Sequence, residues 1–376
     1  MGEAAVGAAV SGTAISEPGE RDPHAGDTAV SERAAPRVRP GAFDRFYAWA
    51  DRLPWRGLWL YPAMAAGLLL WGHSVLWATG RLAVGTFDPT LTVSVVYVPY
   101  GLWVIGYLNR VAGRALDAFW PATGWPDRDR ASWSHALTTV GAGLAVPSLL
   151  VGIGIAVVAF LSAPVTVVGA DVPGRLAYAL ALAPNAILGY AIALMAIAHT
   201  SRQLRLVVRI HREAHAIDPF DKGPVYAFSR FTVQIGLAFL VSGYYTFTVN
   251  AAFQSGNLVG GGFLGLVFVL GAACFILPLW GIHGRLVDVK EAQTADVELR
   301  ISKLARELYR RIDAGEFDGT KVINEAIAAA GAVRERIERL PTWPWPPQLF
   351  RGFLSALLVP VVVYLATRLI GGQIGA

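Results

Sequence analysis

Two histidines are the feature of this 376-residue chain that comes nearest to a metal-binding motif. His211 and His215 are four residues apart, a spacing that places two imidazole rings on one face of a helix, where zinc sites are often built. Arg212 stands where the His-Glu-x-x-His motif of zinc proteases has its glutamate, and the sequence supplies no clear third ligand. We therefore interpret this segment as a basic helix at the lipid headgroups, and we predict neither a metal nor a cofactor.

Motifs for enzymatic chemistry are absent from the rest of the sequence. It contains no glycine-rich phosphate loop, no nucleophile elbow and no kinase signature. The only cysteine, Cys274, lies in an apolar segment, which excludes an intramolecular disulfide and a zinc site of paired cysteines. No catalytic residue is predicted. An enzyme whose site is assembled from scattered residues stays open.

Isolated polar side chains within apolar segments form the first set of candidate residues, His73, Asn185 and Asn250. His73 is flanked by leucine and tryptophan, so we interpret it as a neutral, hydrogen-bonded histidine. Asn250 follows Gly243 by seven residues, and Gly243 follows Gly236 by seven, a stripe that suits close helix packing with one interhelical hydrogen bond. We read Asn185, which follows a proline, in the same way. A ligand or ion site is the alternative for both asparagines.

Apolar segments dominate the composition and indicate a membrane protein. The chain is 54% hydrophobic and only 16% charged, whereas about a quarter of the residues of a soluble domain are charged. We predict an all-α, polytopic membrane protein with about seven spans, each near the roughly 20 residues that a bilayer core requires. No span contains Asp, Glu or Lys, which counts against proton-coupled transport. The predicted spans are residues 57–79, 91–109, 139–162, 176–199, 231–253, 262–283 and 350–371.

Charge predicts which side of the membrane each loop faces. All but three of the 32 Lys and Arg residues lie before the first predicted span or in the alternate segments 110–138, 200–230 and 284–351, and the exceptions are Arg81, Arg175 and Arg368. Basic residues accumulate in cytoplasmic loops, so we expect a cytoplasmic amino terminus and an outward carboxyl terminus in the cell (inner) membrane. The net charge of +5 could indicate nucleic acid, but the basic residues form no single patch, and we predict no nucleic-acid partner.

The segments outside these spans have distinct compositions. Residues 1–40 contain no aromatic side chain and predict a disordered tail, and residues 41–56 predict an amphipathic helix on the membrane surface. Residues 57–283 form the predicted six-span domain, and residues 284–340 follow it with charges at short intervals. The prolines and tryptophans of residues 341–349 predict a stiff elbow before the last span at 350–371.

Helical periodicity predicts a cytoplasmic hairpin over residues 284–340. Apolar residues recur at intervals of three and four in two stretches that are separated by about five residues, so two antiparallel helices would bury their stripes in a coiled-coil manner, within one chain or against a second copy. The first stripe is Val297, Ile301, Leu304, Leu308 and Ile312, and the second is Val322, Ala326, Ala329, Val333, Ile337 and Leu340.

A second set of candidate residues lies at the predicted cytoplasmic edge: Asp218, Asp221, Arg230, Trp343, Trp345 and Arg351. We expect the acidic residues and Arg230 to pair with Arg351 or with the base of the hairpin, and the tryptophans to sit at the headgroup boundary. The strings at 217–220, 224–230, 341–345 and 351–354 resemble those of a group of uncharacterised prokaryotic multi-pass membrane proteins. The resemblance covers residues 200–371 and implies an architecture without an assigned activity.

The leading functional hypothesis is a non-enzymatic membrane protein whose hairpin relays a signal or scaffolds an assembly. Its expected partners are the lipid bilayer and, through the hairpin, a second copy or another protein. The alternative is a channel or transporter for an uncharged or weakly charged solute, lined by polar faces of the fourth and fifth spans. A water-filled path beside Asn185 and Asn250 would favour transport.

Overall fold

Helices account for every regular element in the part of the chain that the computed structural model describes, which is residues 35–162, 171–215, 217–218, 220–249 and 258–374. Residues 1–34 of the predicted tail lie outside that part. The helices are α1 (Ala42–Ala50), α2 (Leu60–Ala78), α3 (Pro89–Ser94), α4 (Tyr97–Thr123), α5 (Asp127–Thr138), α6 (Ala142–Leu161), α7 (Val172–Glu213), α8 (Lys222–Val249), α9 (Leu258–Asp313), α10 (Thr320–Glu338) and α11 (Pro347–Ile374).

Local sequence signals mark several of the helix ends. Asp88 caps α3 by accepting a hydrogen bond from the backbone N–H of Leu91 at 2.8 Å, and a proline follows it in the first turn. Asp171 caps α7 through the N–H of Gly174 in the same way. Gly124 ends α4 with a left-handed backbone, a conformation that glycine adopts without steric cost.

Five helical segments are long and apolar enough to cross a membrane, which confirms the prediction of an all-helical polytopic protein at this coarser level. The predicted spans at 57–79 and 350–371 correspond to α2 and α11, which are not among the five. The count of seven therefore stays a prediction. The five segments are Pro89–Thr123, Asp127–Leu161, Val172–Glu213, Gly223–Val249 and Gly262–Asp313.

The centre of the helical assembly is the contact between α4 and α7. Leu102 and Ile105 of α4 are buried against Ile192 and Met195 of α7, and α4 also packs against α2, α5 and α8. The apolar side of α1 packs on the same cluster through Phe43, Phe46 and Tyr47. The predicted surface helix therefore turns this side toward the protein, while Trp49 stays about half exposed.

One continuous helix, α9, crosses the boundary that the sequence predicts between the sixth span and the hairpin. It runs through Gly284 without a break, because one glycine costs a helix only about 1 kcal/mol and packing against neighbours offsets it. Its first half packs against α8, and α10 packs against α9 as well. Glu298 of α9 and Arg334 of α10 form an ion pair at 3.2 Å, and the Lys290 ammonium donates to the carbonyl of Glu338 at 2.6 Å.

The contacting face of α10 differs from the predicted stripe. Ile337 is buried as expected, but Val322, Val333 and Ala329 are exposed, so the prediction is wrong for these three residues. Half-buried Ala330 and the other half-buried residues of α10 face inward instead. A shift of one position rotates a helix by about 100°, and the spacing of small apolar residues does not distinguish such neighbouring faces.

The end of α2 is tied to the start of α7 by an exposed ion pair. Arg81 donates to the Asp171 carboxylate, with its Nη1 2.8 Å from Oδ1. The hydrogen bond from Arg81, aided by the N–H of Gly174, lowers the pKa of the Asp171 carboxyl below its ordinary value. This pair therefore joins two elements that are about 90 residues apart in the chain.

Candidate functional site

A polar cleft of about 800 Å³ opens between α1, α4 and the turn that joins α5 to α6. We call it the edge cleft, because it lies where α4 passes from apolar residues to the charged residues that begin at Arg110. Its lining combines carboxylates, guanidinium groups, hydroxyls and bare glycine backbone. The lining residues are Asp44, Tyr47, Ala48, Asp51, Gly106, Tyr107, Asn109, Arg110, Gly113, Arg114, Asp117, Thr138 and Thr139.

Asp44 holds one wall of the edge cleft in place. Its Oδ1 accepts the backbone N–H of Val140 at 2.7 Å, and its Oδ2 accepts those of Gly141 at 3.2 Å and Gly41 at 2.6 Å. One carboxylate thus joins the beginning of α1 to the α5–α6 turn. Hydrogen bonds from three backbone donors satisfy most of its acceptor sites, so Asp44 acts here as a structural bracket.

A buried hydrogen-bond network lies behind the cleft, between α4 and α7. His199 is 1% exposed, and its Nε2 lies 2.7 Å from Asn109 Oδ1. Arg202, which can only donate, reaches His199 Nδ1 at 3.2 Å, so Nδ1 accepts and the proton of a neutral imidazole sits on Nε2. Gln203 donates to the same Asn109 oxygen at 2.9 Å and to the Leu137 carbonyl at 3.0 Å.

Two guanidinium groups on α4 line the edge cleft together with the three carboxylates. Arg110 Nη1 lies 3.6 Å from Asp51 Oδ1, beyond hydrogen-bond length. Arg114 donates from Nε to a backbone carbonyl of its own helix at 3.3 Å, and its terminal nitrogens form no hydrogen bond or ion pair within the described residues. The third carboxylate, that of Asp117, forms an ion pair with Arg130 at 2.7 Å. Arg114 is therefore the charged group that is left to meet a ligand.

Sequence reasoning missed the edge cleft and its network. Asn109 and His199 sit at the ends of the second and fourth predicted spans, on the side where charge begins. His199 and Gln203 are four residues apart on one helix face, and that spacing next to a span end was the available signal. The pairing itself joins residues that are 90 positions apart, and helical periodicity carries no information about such a contact.

His73 occupies a closed hydrogen-bonded position, away from the edge cleft. It is fully buried, its Nδ1 lies 2.8 Å from the Leu69 carbonyl, and the backbone N–H of Asp88 donates to its Nε2 at 3.0 Å. Because a carbonyl only accepts, the proton sits on Nδ1 and the ring is neutral. The Phe87 ring packs against it at 4.9 Å. His73 thus links α2 to the cap of α3.

Asn185 makes an interhelical contact of the predicted kind, whereas Asn250 lies outside the described residues. The Asn185 amide donates to Ser94 Oγ at 3.0 Å, and its Oδ1 is buried without a hydrogen-bond partner. Hydroxyl groups also form a hydrogen bond between α4 and α8. The Tyr97 hydroxyl donates to Thr246 Oγ1 at 3.1 Å. These groups form a polar seam inside the helical assembly.

The two histidines of the metal-like spacing do not share a helix face. His211 is buried between the rings of Phe119 and Phe228 at 5.0 and 5.1 Å, whereas α7 ends at Glu213 and His215 lies exposed beyond it. The interpretation of both as parts of one helix is therefore wrong, because the chain leaves the helix before the second histidine. Within the described residues, no group of three His, Cys, Asp or Glu side chains is placed to hold a metal.

The predicted ion pairs at the edge motifs do not occur in the described part of the chain. Asp218 and Asp221 instead accept nearby backbone N–H groups at 2.8 and 3.1 Å, and Arg230 and Arg351 are exposed. The segment still contacts α10, but through an aromatic ring. The Arg336 guanidinium lies 5.8 Å from the centre of the Phe220 ring.

Trp343 and Trp345 form the middle of an aromatic stack on α9. The His283 ring lies parallel to that of Trp343 at 3.8 Å, and Trp343 stacks on Trp345 at 4.5 Å. Trp345 continues to Phe275 at 4.9 Å and to Phe350 of α11 at 5.8 Å. The His283 Nδ1 also lies 2.9 Å from the Thr342 carbonyl. The elbow is thereby fastened to α9, and α11 is fastened to the elbow.

The edge cleft is lined by polar groups that can form hydrogen bonds or ion pairs. Its polar groups are arginine, carboxylate, amide and hydroxyl, and the described residues bring no activated nucleophile into the edge cleft. Comparison with models of known protein families, with curated proteins and with solved structures finds no match, so the family resemblance at residues 200–371 stays a prediction.

Proposed function

We propose that this chain is a non-enzymatic, multi-pass membrane protein that relays a signal, or scaffolds an assembly, through the second half of α9 together with α10, residues 284–338. We call these two segments the arms. The observation that carries the proposal is the unbroken length of α9. Its 56 residues extend roughly 84 Å at 1.5 Å per residue, whereas a bilayer core is about 30 Å thick. A large part of this helix must project beyond the membrane.

Contacts at the base of the arms support a relay. Arg285, at the start of the projecting part, donates to the carbonyls of His211 and Ala214 at 2.7 and 2.6 Å, which are the terminal carbonyls of α7. The same α7 carries His199 and Arg202 of the buried network, about 18 Å along the helix from His211. A shift of α7 relative to α4 therefore acts on the base of the arms directly.

The proposed topology has seven spans, with the amino terminus and the arms in the cytoplasm. It is supported by the distribution of Lys and Arg, and by α2 and α11, whose 19 and 28 residues are long enough for two further crossings. We expect alkaline phosphatase fused after Ala376 to be active, because it folds only outside. A fluorescent protein inserted at Gly315, in the turn between the arms, should be bright.

The same reporters exchanged between the two sites provide the control for that topology. Phosphatase at Gly315 should be inactive and the fluorescent protein at Ala376 dark. A dark fusion at Gly315 together with inactive phosphatase at the carboxyl terminus would contradict the proposed orientation.

The relay is tested by locking the membrane part and observing the arms. In a Cys274→Ser background, cysteines at Gly243 and Val267 should form a disulfide once the two helices separate slightly, because an added Cβ at 243 lies 3.0 Å from Val267 Cβ, closer than the roughly 3.5–4.5 Å of a disulfide. We expect oxidation to change hydrogen exchange of backbone amides in residues 285–340 by about fivefold or more. Mass spectrometry of peptic fragments measures this change.

A flexible insertion provides the matched control for the lock. Gly-Gly-Ser placed between Gly284 and Arg285 interrupts α9 while leaving the disulfide able to form, so the arms should no longer respond to oxidation. Arms whose exchange is identical in the oxidised and reduced forms of the uninterrupted chain would overturn the relay.

Transport is the second candidate, and the polar seam between α4, α7 and α8 favours it. The buried, unpartnered Oδ1 of Asn185 is the group there that could meet a passing solute. Proteoliposomes distinguish the two functions, since a channel accelerates solute-driven swelling and a relay leaves the vesicles as tight as protein-free ones. Swelling that Asn185→Leu abolishes would favour transport.

A further inference from the structure

We propose that the edge cleft binds the headgroup of an anionic phospholipid, with Arg110 and Arg114 on its phosphate. Guanidinium groups match phosphate geometrically and stay charged at every physiological pH. Basic pockets between helices at a membrane edge are the usual sites for such headgroups. The site depends on the membrane placement of α4 and not on the relay, so lipid binding and arm coupling can fail separately.

The shape of the cleft follows from glycines on α4. Gly106 and Gly113 are seven residues apart and lie on the same side of the helix as Arg110. The Tyr47 ring and the Arg110 guanidinium cover Gly106, whereas Gly113 leaves bare backbone next to Arg114. A Cβ added at Gly113 would touch only a methyl group of Thr138, at 3.5 Å. The cleft, at about 800 Å³, has room for a glycerophosphate group.

Pairing among the charged groups of the cleft leaves one guanidinium group available to a lipid phosphate. Of the three carboxylates in the lining, Asp44 is hydrogen bonded to three backbone N–H groups and Asp117 is paired with Arg130. Asp51 stands 3.6 Å from Arg110, which an incoming phosphate can still approach. Arg114 is exposed and carries its charge without a carboxylate partner among the described residues.

Aromatic groups place this cation at the depth of a headgroup. Tyr107, one turn from Arg110 and two turns from Arg114, lines the cleft and stacks on Trp103 at 5.3 Å with nearly parallel rings. Amphipathic rings of this type concentrate at the boundary between headgroups and acyl chains. The apolar part of α4 begins about 12 Å from Arg114, past the Arg110 side chain and the Tyr47 ring that cover Gly106. A lipid, unlike free phosphate, offers a chain for that apolar end.

The test uses the full chain in nanodiscs of phosphatidylcholine, to which phosphatidylglycerol is added at fixed ionic strength. We expect phosphatidylglycerol to raise the thermal midpoint of the wild type and to remain bound in native mass spectrometry. Arg114→Gln should weaken this binding by about tenfold or more, because a charge-assisted contact to phosphate is lost. Arg128→Gln, the same charge change at an 84% exposed side chain outside the cleft, should bind as the wild type does.

A second variant tests whether the lipid binds in the groove, and a soluble ligand tests whether the site prefers a lipid to free phosphate. Gly113→Leu fills the groove without changing charge, and should lose binding to a similar extent while it elutes as a monodisperse species in size-exclusion chromatography. Equal losses for Arg114→Gln and Arg128→Gln would overturn the site, as would normal binding by Gly113→Leu. Stabilisation by glycerol 3-phosphate alone, equal to that by the lipid, would show that the site takes a soluble phosphate and that the lipid assignment is wrong.

Discussion

Replacing Gly243 by leucine is expected to separate α8 from α9 and to destabilise the protein severely. A Cβ at this position would lie 3.0 Å from Val267 Cβ and closer still to both Val267 methyl carbons. Real Cβ atoms essentially never approach so closely, so one helix must move away from the other. Overpacking of an interior typically costs about 1–3 kcal/mol, and a clash with a β-branched side chain on a facing helix belongs at the upper end or beyond.

Thermal unfolding in detergent, followed by light scattering and size-exclusion chromatography, measures this loss for Gly243→Leu. Gly265→Leu is the matched control, because a Cβ added at this position of α9 meets no atom within 4 Å. The double variant Gly243→Ala/Val267→Ala should be more stable than Gly243→Ala alone, because Val267→Ala removes the two methyl groups that the added Cβ would meet. If Gly243→Leu were as stable as Gly265→Leu, the helices would be farther apart than the structure places them.

The second large effect is a disulfide between the arms. In a Cys274→Ser background, cysteines at Ile301 and Ala330 should form an intrachain bond on oxidation. The Glu298–Arg334 ion pair at 3.2 Å sets the register, and it brings Ile301 opposite Ala330, both of which are half-buried. Val333 is the poorer partner, because its side chain is 48% exposed.

Gel mobility measures the bond between the arms. Oxidised Ile301→Cys/Ala330→Cys should run almost entirely as a faster monomer that reverts on reduction, at every protein concentration. Ile301→Cys/Val322→Cys is the control, since Val322 lies about two helical turns, or roughly 12 Å, from the level of Ile301, beyond the roughly 7 Å between Cα atoms that a disulfide can bridge. Dimers in place of the fast monomer would mean that the arms pair between chains.

The sequence already indicates the elements of this protein because the signals for them are local. Runs of about 20 apolar residues and the charge density after Gly284 each lie within a few helical turns. The seven-residue spacing of Gly236 and Gly243 likewise predicts a close helix contact, and both glycines do meet α9 or α11 in the structure. Periodicity also predicts that each arm has an apolar stripe. On α10, however, the face that contacts α9 is the one next to the predicted stripe.

The candidate site is largely beyond such reasoning. His73 and Asn185 stand out because each is polar in an apolar run, and a single residue in context suffices to notice it. Asp44, Asn109 and His199 do not stand out from the residues around them in the sequence. Their contacts form only when α1, α4 and α7 pack together. The His211–His215 spacing failed for the related reason that a helix end depends on what packs against it, here Arg285 on the last carbonyls of α7.

The sequence by itself therefore determined the helical class, the apolar segments and the asymmetry of charge, because hydropathy and helical period act over neighbouring residues. Only the tertiary structure decided which polar groups face one another, where the edge cleft opens and how α7 reaches the base of the arms. The physical reason is that burial selects contacts between residues 60–100 positions apart. A side chain without a hydrogen-bond partner inside an apolar assembly is costly, and its partner is chosen by how the helices pack.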